Sequence, residues 1–103
     1  METIIQLARV LGWLVYSTYD SRKSEPGFPD LVMVRGGRLI FAEIKADKGH
    51  LTTARVNKRG RRMPGQVDWF MELMNTQAEV FVFYPKDWER IVTILGGEHV
   101  VAT

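Results

Sequence analysis

The sequence predicts an α/β fold, with a central mixed β-sheet flanked by helices in the order helix, three strands, helix, strand, helix. Three observations carry this. Apolar residues recur at helical spacing in two segments, Ile4, Ile5, Leu7, Ala8 and Leu11, then Val67, Phe70, Met71 and Met74. Two apolar runs, DLVMVR at 30–35 and RLIFAEIKA at 38–46, flank Gly36-Gly37. A further β-branched and aromatic run, EVFVFY at 79–84, follows the second helical segment.

In chain order, residues 2–11 read as a helix that Gly12 ends. The segment WLVYST at 13–18 reads as a strand, and DSRKSEPGFP at 20–29 as a loop of turn formers and charges. Gly36 and Gly37 supply the positive φ angles of a two-residue hairpin turn. Both flanking runs are apolar on both faces, so the hairpin is expected inside a sheet covered on two sides. Residues 47–62 read as one long polar and basic loop. Pro64 stands where a first helical turn tolerates it, and the helix runs to about Asn75. Lys86 to Leu95 reads as a short helix and His99 to Ala102 as a final edge strand.

With 103 residues and no repeat or linker, a single domain over 1–103 is expected. The 46% hydrophobic and 25% charged fractions are those of a globular chain and argue against disorder. There is no cysteine, which excludes a disulfide framework and a thiolate zinc site. No segment approaches the ~20 apolar residues that cross a bilayer, so the expectation is a soluble, cytoplasmic protein without a membrane partner.

The chemistry concentrates in the central hairpin. If Gly36 and Gly37 are the turn, Arg35 faces Arg38 and, counting outward, Asp30 faces Glu43. Directly opposed residues project from the same side with Cβ atoms roughly 4.5–5.5 Å apart. Lys45, two residues beyond Glu43, emerges on that side too. Two opposed carboxylates repel unless something neutralises them. A divalent cation does so, and magnesium is typically held by one or two carboxylates together with waters and phosphate oxygens. Lys45 would then hold a phosphate oxygen or orient an attacking water. The plainer reading, a salt-bridged surface trio, is weakened by the apolar neighbours Leu31, Val32, Phe41 and Ile44.

The net charge of +2 is modest, but its distribution is uneven. Arg55, Lys58, Arg59, Arg61 and Arg62 fall within eight residues, and Arg22 and Lys23 form a second group. These are the candidate DNA contacts, set against the simpler alternative of a solvated loop.

GFPD at 27–30 and EIK at 43–45 resemble the PD-(D/E)XK nuclease signature, and most closely its VRR-NUC branch. That resemblance implies a restriction-endonuclease-like core and a magnesium-dependent DNA endonuclease, with manganese able to substitute. It implies Asp30 and Glu43 as metal ligands, joined by the backbone carbonyl of Ile44, with Lys45 as the catalytic lysine. It also implies that Gln66, opening the second helix, supports Lys45 or the substrate phosphate, and that Gly27 lets the backbone pass close to the site. The connection from Lys45 to Gln66 is longer than the family's usual one, the excess being the basic stretch. Glu2 is the candidate for the family's helical glutamate, although an N-terminal acid also suits the helix dipole. Small members of the family act as dimers on branched DNA, including four-way junctions, so a homodimer is the implied state.

His50 lies in the loop after Lys45 and His99 near the end, neither with a partner histidine. Trp13, Trp69 and Trp88 read as core or interface residues, while Tyr16 and Tyr19 could border the site. Two other readings compete with the nuclease: a nucleic-acid-binding module with a vestigial site, and an interaction protein whose basic loop recruits an acidic partner. Binding that persists in EDTA without cleavage in magnesium or manganese would favour either of them.

Overall fold

The computed structural model describes residues 1–18 and 24–97. Its elements are α1 (Glu2–Val10), β1 (Leu14–Ser17), β2 (Leu31–Arg35), β3 (Arg38–Ile44), β4 (Arg55–Val56), β5 (Arg62–Met63), α2 (Gln66–Met74), β6 (Glu79–Phe83) and α3 (Trp88–Gly96). A 3₁₀ turn, Pro85–Asp87, leads into α3. The protein is a mixed α/β fold. Among the described residues, four strands form a sheet in the order β1-β2-β3-β6, flanked by helices. β1, β2 and β3 are antiparallel neighbours, and β6 returns through α2 to lie parallel to β3. The expected final strand at His99–Ala102 lies outside the described residues.

The β2–β3 turn has the expected geometry, with φ of 55° at Gly36 and 82° at Gly37. The register follows from it: Arg35 pairs with Arg38, Met33 with Ile40 and Leu31 with Ala42. Strand alternation then puts Leu31, Met33, Ile40 and Ala42 on one face. There they join Ile4, Ile5 and Ala8 of α1, Ile91 and Leu95 of α3, and Trp13 and Phe83 in one buried core. Each large side chain fully buried here contributes about 1.5–3 kcal/mol relative to exposure.

The two opposed arginines at the turn do not point to solvent. The Arg38 guanidinium grips the Glu79 carboxylate through two bonds of 2.7 Å and donates to the carbonyls of Ile94 and Gly97. Arg35 donates to Leu11 and Gly97 carbonyls. Both cations stack on the Trp13 ring, at 4.9 and 5.1 Å. Glu79 balances the charge of Arg38, and the carbonyls at the C-terminal end of α3 stabilise both cations.

Three expectations are corrected. Residues 47–62 are not one loop, because β4 and β5 form an antiparallel hairpin within that stretch. Pro64 precedes the α2 cap, Gly65, and is not in the first helical turn. The two-sided cover of the hairpin is partial. α2 packs over the end of β3 and over β6 through Trp69 and its neighbours, leaving Met71 and Met74 exposed. On that same face Leu14, Tyr16, Val34 and Leu39 remain open, Leu14 at 76% and Tyr16 at 61% exposure.

Candidate active site

The site forms where the β2–β3 hairpin opens, on the face that α2 covers. Asp30 follows the segment Pro26-Gly27-Phe28-Pro29, which is pinned at several points. The Phe28 ring packs edge-on against Phe41 of β3 at 6.0 Å and against Trp69 of α2 at 5.0 Å. The Trp69 indole N–H donates to the Pro26 carbonyl. Thr18 donates its hydroxyl to the Pro29 carbonyl at 2.7 Å and its backbone N–H to the Asp30 carbonyl at 2.8 Å. Gly27, at φ +84°, passes so close to α2 that a Cβ there would lie 2.6 Å from the Gly65 carbonyl oxygen. Only glycine permits that approach.

With the segment held, the Asp30 carboxylate accepts the Ile44 N–H at 2.9 Å, continuing the hairpin by one side-chain rung. Glu43 projects beside it and is only 4% exposed. Its Oε1 accepts a 2.6 Å hydrogen bond from the Gln66 amide and lies 3.9 Å from the Lys45 ammonium. Its Oε2 is buried without a hydrogen-bond partner. Burial, and after it the charge of Asp30, push the Glu43 carboxyl from 4.5 up to about 8, against the lowering effect of Lys45.

Asp30, Glu43, Lys45 and Gln66 are therefore brought together. Ile44 lies between the two charged residues, with its side chain lining an apolar pocket shared with Met1, Phe83, Tyr84 and Trp88. Glu2 is exposed in the first turn of α1, and the neighbouring charges that shift Glu43 are those of Asp30 and Lys45. Among the described residues, no three His, Asp or Glu side chains assemble into one metal-binding group. Arg22, Lys23, Tyr19 and His99 lie outside the described residues, and His50 is exposed.

The donor chemistry nevertheless suits a small hard cation. Two carboxylates converge, one of them offering a buried oxygen with nothing to bond. Such an atom costs about 1–3 kcal/mol or more when it is left unpaired.

Two residues that sequence reading missed complete the arrangement. The Thr52 N–H donates to Gln66 Oε1 at 3.0 Å, and the Thr52 hydroxyl accepts the Gln66 N–H at 3.1 Å. That fixes which end of the Gln66 amide faces Glu43. Asp68 accepts the Gly65 N–H at 2.8 Å and binds Arg62 at 2.8 Å, and the Arg62 bond holds its carboxyl below the ordinary value. An acid three residues after a helix cap is a readable signal for Asp68. Thr52, fourteen residues from its partner, carried no such signal.

Comparisons with protein-family models, with curated proteins and with solved structures find no match.

Proposed function

We propose that this protein is a divalent-metal-dependent deoxyribonuclease with a restriction-endonuclease-like core of the VRR-NUC kind. The observation that carries the reading is the buried Glu43 carboxylate set beside Asp30, with Oε2 unpartnered while Oε1 is engaged by Gln66 and neighboured by Lys45. A purely structural acid at a sheet position suited to valine has no reason to keep an unsatisfied oxygen beside a second carboxylate.

Asp30 and Glu43 would hold magnesium or manganese, with the Ile44 carbonyl as a further oxygen donor. The bound cation supplies charge for the phosphoryl oxygens and lowers the pKa of water. Lys45, its side chain only 17% exposed beside Glu43, would hold a phosphate oxygen or orient the attacking water. Gln66 keeps Glu43 in position, and Thr52 keeps Gln66 in position. The basic segment 55–62 supplies affinity for the phosphate backbone. Within the same proposal the enzyme works as a homodimer on branched DNA, with the open apolar surface of Leu14, Tyr16, Val34 and Leu39 available to the second copy.

The test is cleavage of a panel of duplex, nicked and four-way-junction DNAs in magnesium and in manganese. Glu43→Gln and Asp30→Asn should each lose at least about 10²-fold in rate with the fold retained. Residual activity above a tenth of wild type in either variant would remove that residue from the site.

A further inference from the structure

Residues 55–62 are exposed throughout, yet they are ordered as a two-stranded antiparallel ribbon, Arg55 opposite Met63 and Val56 opposite Arg62. An isolated two-stranded hairpin is marginally stable in water. This one is held by its own turn. Asn57 Oδ1 accepts the N–H groups of Arg59 and Arg61 at 2.9 and 3.0 Å, the Asn57 N–H bonds the Arg61 carbonyl, and the Gly60 N–H returns to the Asn57 carbonyl. A shape specified this closely, with so little buried beneath it, is a shape presented to a partner.

The charge on the ribbon is sorted by face. Arg62 is tied back to Asp68 of α2, so it serves as a clasp. Arg61 faces Asn57 across the ribbon, which places Arg55 and Arg61 on the opposite face from Arg62, with Lys58 and Arg59 at the tip. None of Arg55, Lys58, Arg59 and Arg61 pairs with an acid among the described residues.

The root of the ribbon is wired to the catalytic pair. A Cβ on Gly65 would lie 2.3 Å from the Thr53 backbone, so the segment leading into the ribbon rests directly on the α2 cap. Thr52 binds Gln66, and Gln66 binds Glu43. Whatever the ribbon holds is therefore held at a set offset from Glu43.

We propose that the 55–63 hairpin is an arm that enters the major groove of duplex DNA, making the substrate DNA that is double-stranded on one side of the phosphate at Glu43. This rests on the nuclease reading above. A B-form major groove, about 12 Å wide, admits a two-stranded β-ribbon. The A-form RNA groove is too narrow and deep for side chains to read. Single strands are usually met by aromatic platforms, and the arm has no aromatic residue. At about 3.3 Å per residue the tip reaches at most roughly 13 Å from its root at Arg55, the length of about 4 base-pair steps.

The test measures binding of fluorescent duplex and single-stranded DNA by the full chain in EDTA, across a salt series. Two variants separate charge from shape. Arg55→Ala/Arg59→Ala/Arg61→Ala keeps Asn57, Gly60 and the Arg62 clasp. It should flatten the duplex salt slope by up to about three units, at ~0.9 per phosphate contact. Asn57→Ala keeps every charge but unpins the turn, and should weaken duplex binding by about three- to tenfold, the scale of a lost hydrogen bond. Single-strand affinity should change little in the second variant, and wild type should lose affinity when the duplex flank is shorter than about 4 base pairs. An unchanged duplex slope in the triple variant, or unchanged duplex affinity in Asn57→Ala, would overturn the arm while leaving the nuclease reading intact. Arm-dependent duplex binding with no hydrolysis of any DNA in magnesium or manganese would do the reverse.

Discussion

The Gln66 amide donates to Glu43 Oε1 across 2.6 Å, while its own oxygen takes the Thr52 N–H at 3.0 Å. The helix cap, the root of the arm and the buried carboxylate thus meet in one side chain. Gln66→Leu should lower metal affinity and cleavage rate by about 10–100-fold, the usual cost of losing a partner that orients a ligand. Thr52→Pro, which removes both the N–H and the hydroxyl that meet Gln66, should produce a smaller loss of the same kind. Calorimetric titration with manganese beside single-turnover cleavage checks both. Full activity in Gln66→Leu would make the contact incidental.

The Glu43 carboxyl, raised on folding from 4.5 to about 8, makes the stability of the metal-free protein depend on pH. Between those two values the folded chain holds a proton that the unfolded chain has released. Stability should therefore be highest on the acid side, fall by up to about 1.4 kcal/mol per pH unit as pH rises through the window, and level off above about 8. Glu43→Gln should abolish this slope. Urea denaturation in EDTA across the window, for wild type and variant, measures it. Metal must displace the same proton, so manganese affinity should climb with pH up to about 8 and then flatten. A pH-independent affinity would mean that Glu43 is no ligand.

Lys45 acts on Glu43 in two opposed ways. Its ammonium, 3.9 Å from Oε1, favours the ionised carboxylate but also repels a cation bound there. Above about pH 8 only the repulsion matters. Lys45→Met should then leave manganese affinity unchanged or slightly improved while the cleavage rate falls by about 10²-fold or more. A large loss of affinity at that pH would make Lys45 a structural brace for the two acids.

The buried Arg38 depends on Glu79, whose side chain is 34% exposed. Glu79→Ala should destabilise the fold by about 2–3 kcal/mol, below the 3–5 kcal/mol expected when both partners are fully buried. Arg38→Met with Glu79→Ala should recover part of that loss, because no buried charge is left unpaired. Thermal and urea melts of the two variants decide this, and cleavage by the folded fraction should stay near wild type.

What the sequence by itself determined is local. Gly36-Gly37 sets a two-residue turn, a two-residue turn sets the register, and the register carries Asp30 to Glu43 with Lys45 on the same side. Side-chain alternation has a period of two, so a one-residue slip would turn Leu31, Met33 and Ile40 out of the core. The helical periodicities at 4–11 and 67–74 are local in the same way, although of the second set only Val67 and Phe70 are partly buried. Met71 and Met74 fit the apolar spacing, but α2 sits over β6 and the end of β3, and those two side chains stay 64% exposed. The ribbon within 47–62 looks like loop in the sequence because its strands are two residues each and its order comes from Asn57, a residue equally at home in an irregular turn. The tertiary structure alone decided how deeply Glu43 is buried, which end of Gln66 it meets, and that Thr52 orients that amide. Each depends on α2 crossing the sheet to lie against residues far away in the chain. Such contacts follow from the summed packing of Phe28, Phe41 and Trp69, and no spacing in the sequence encodes them.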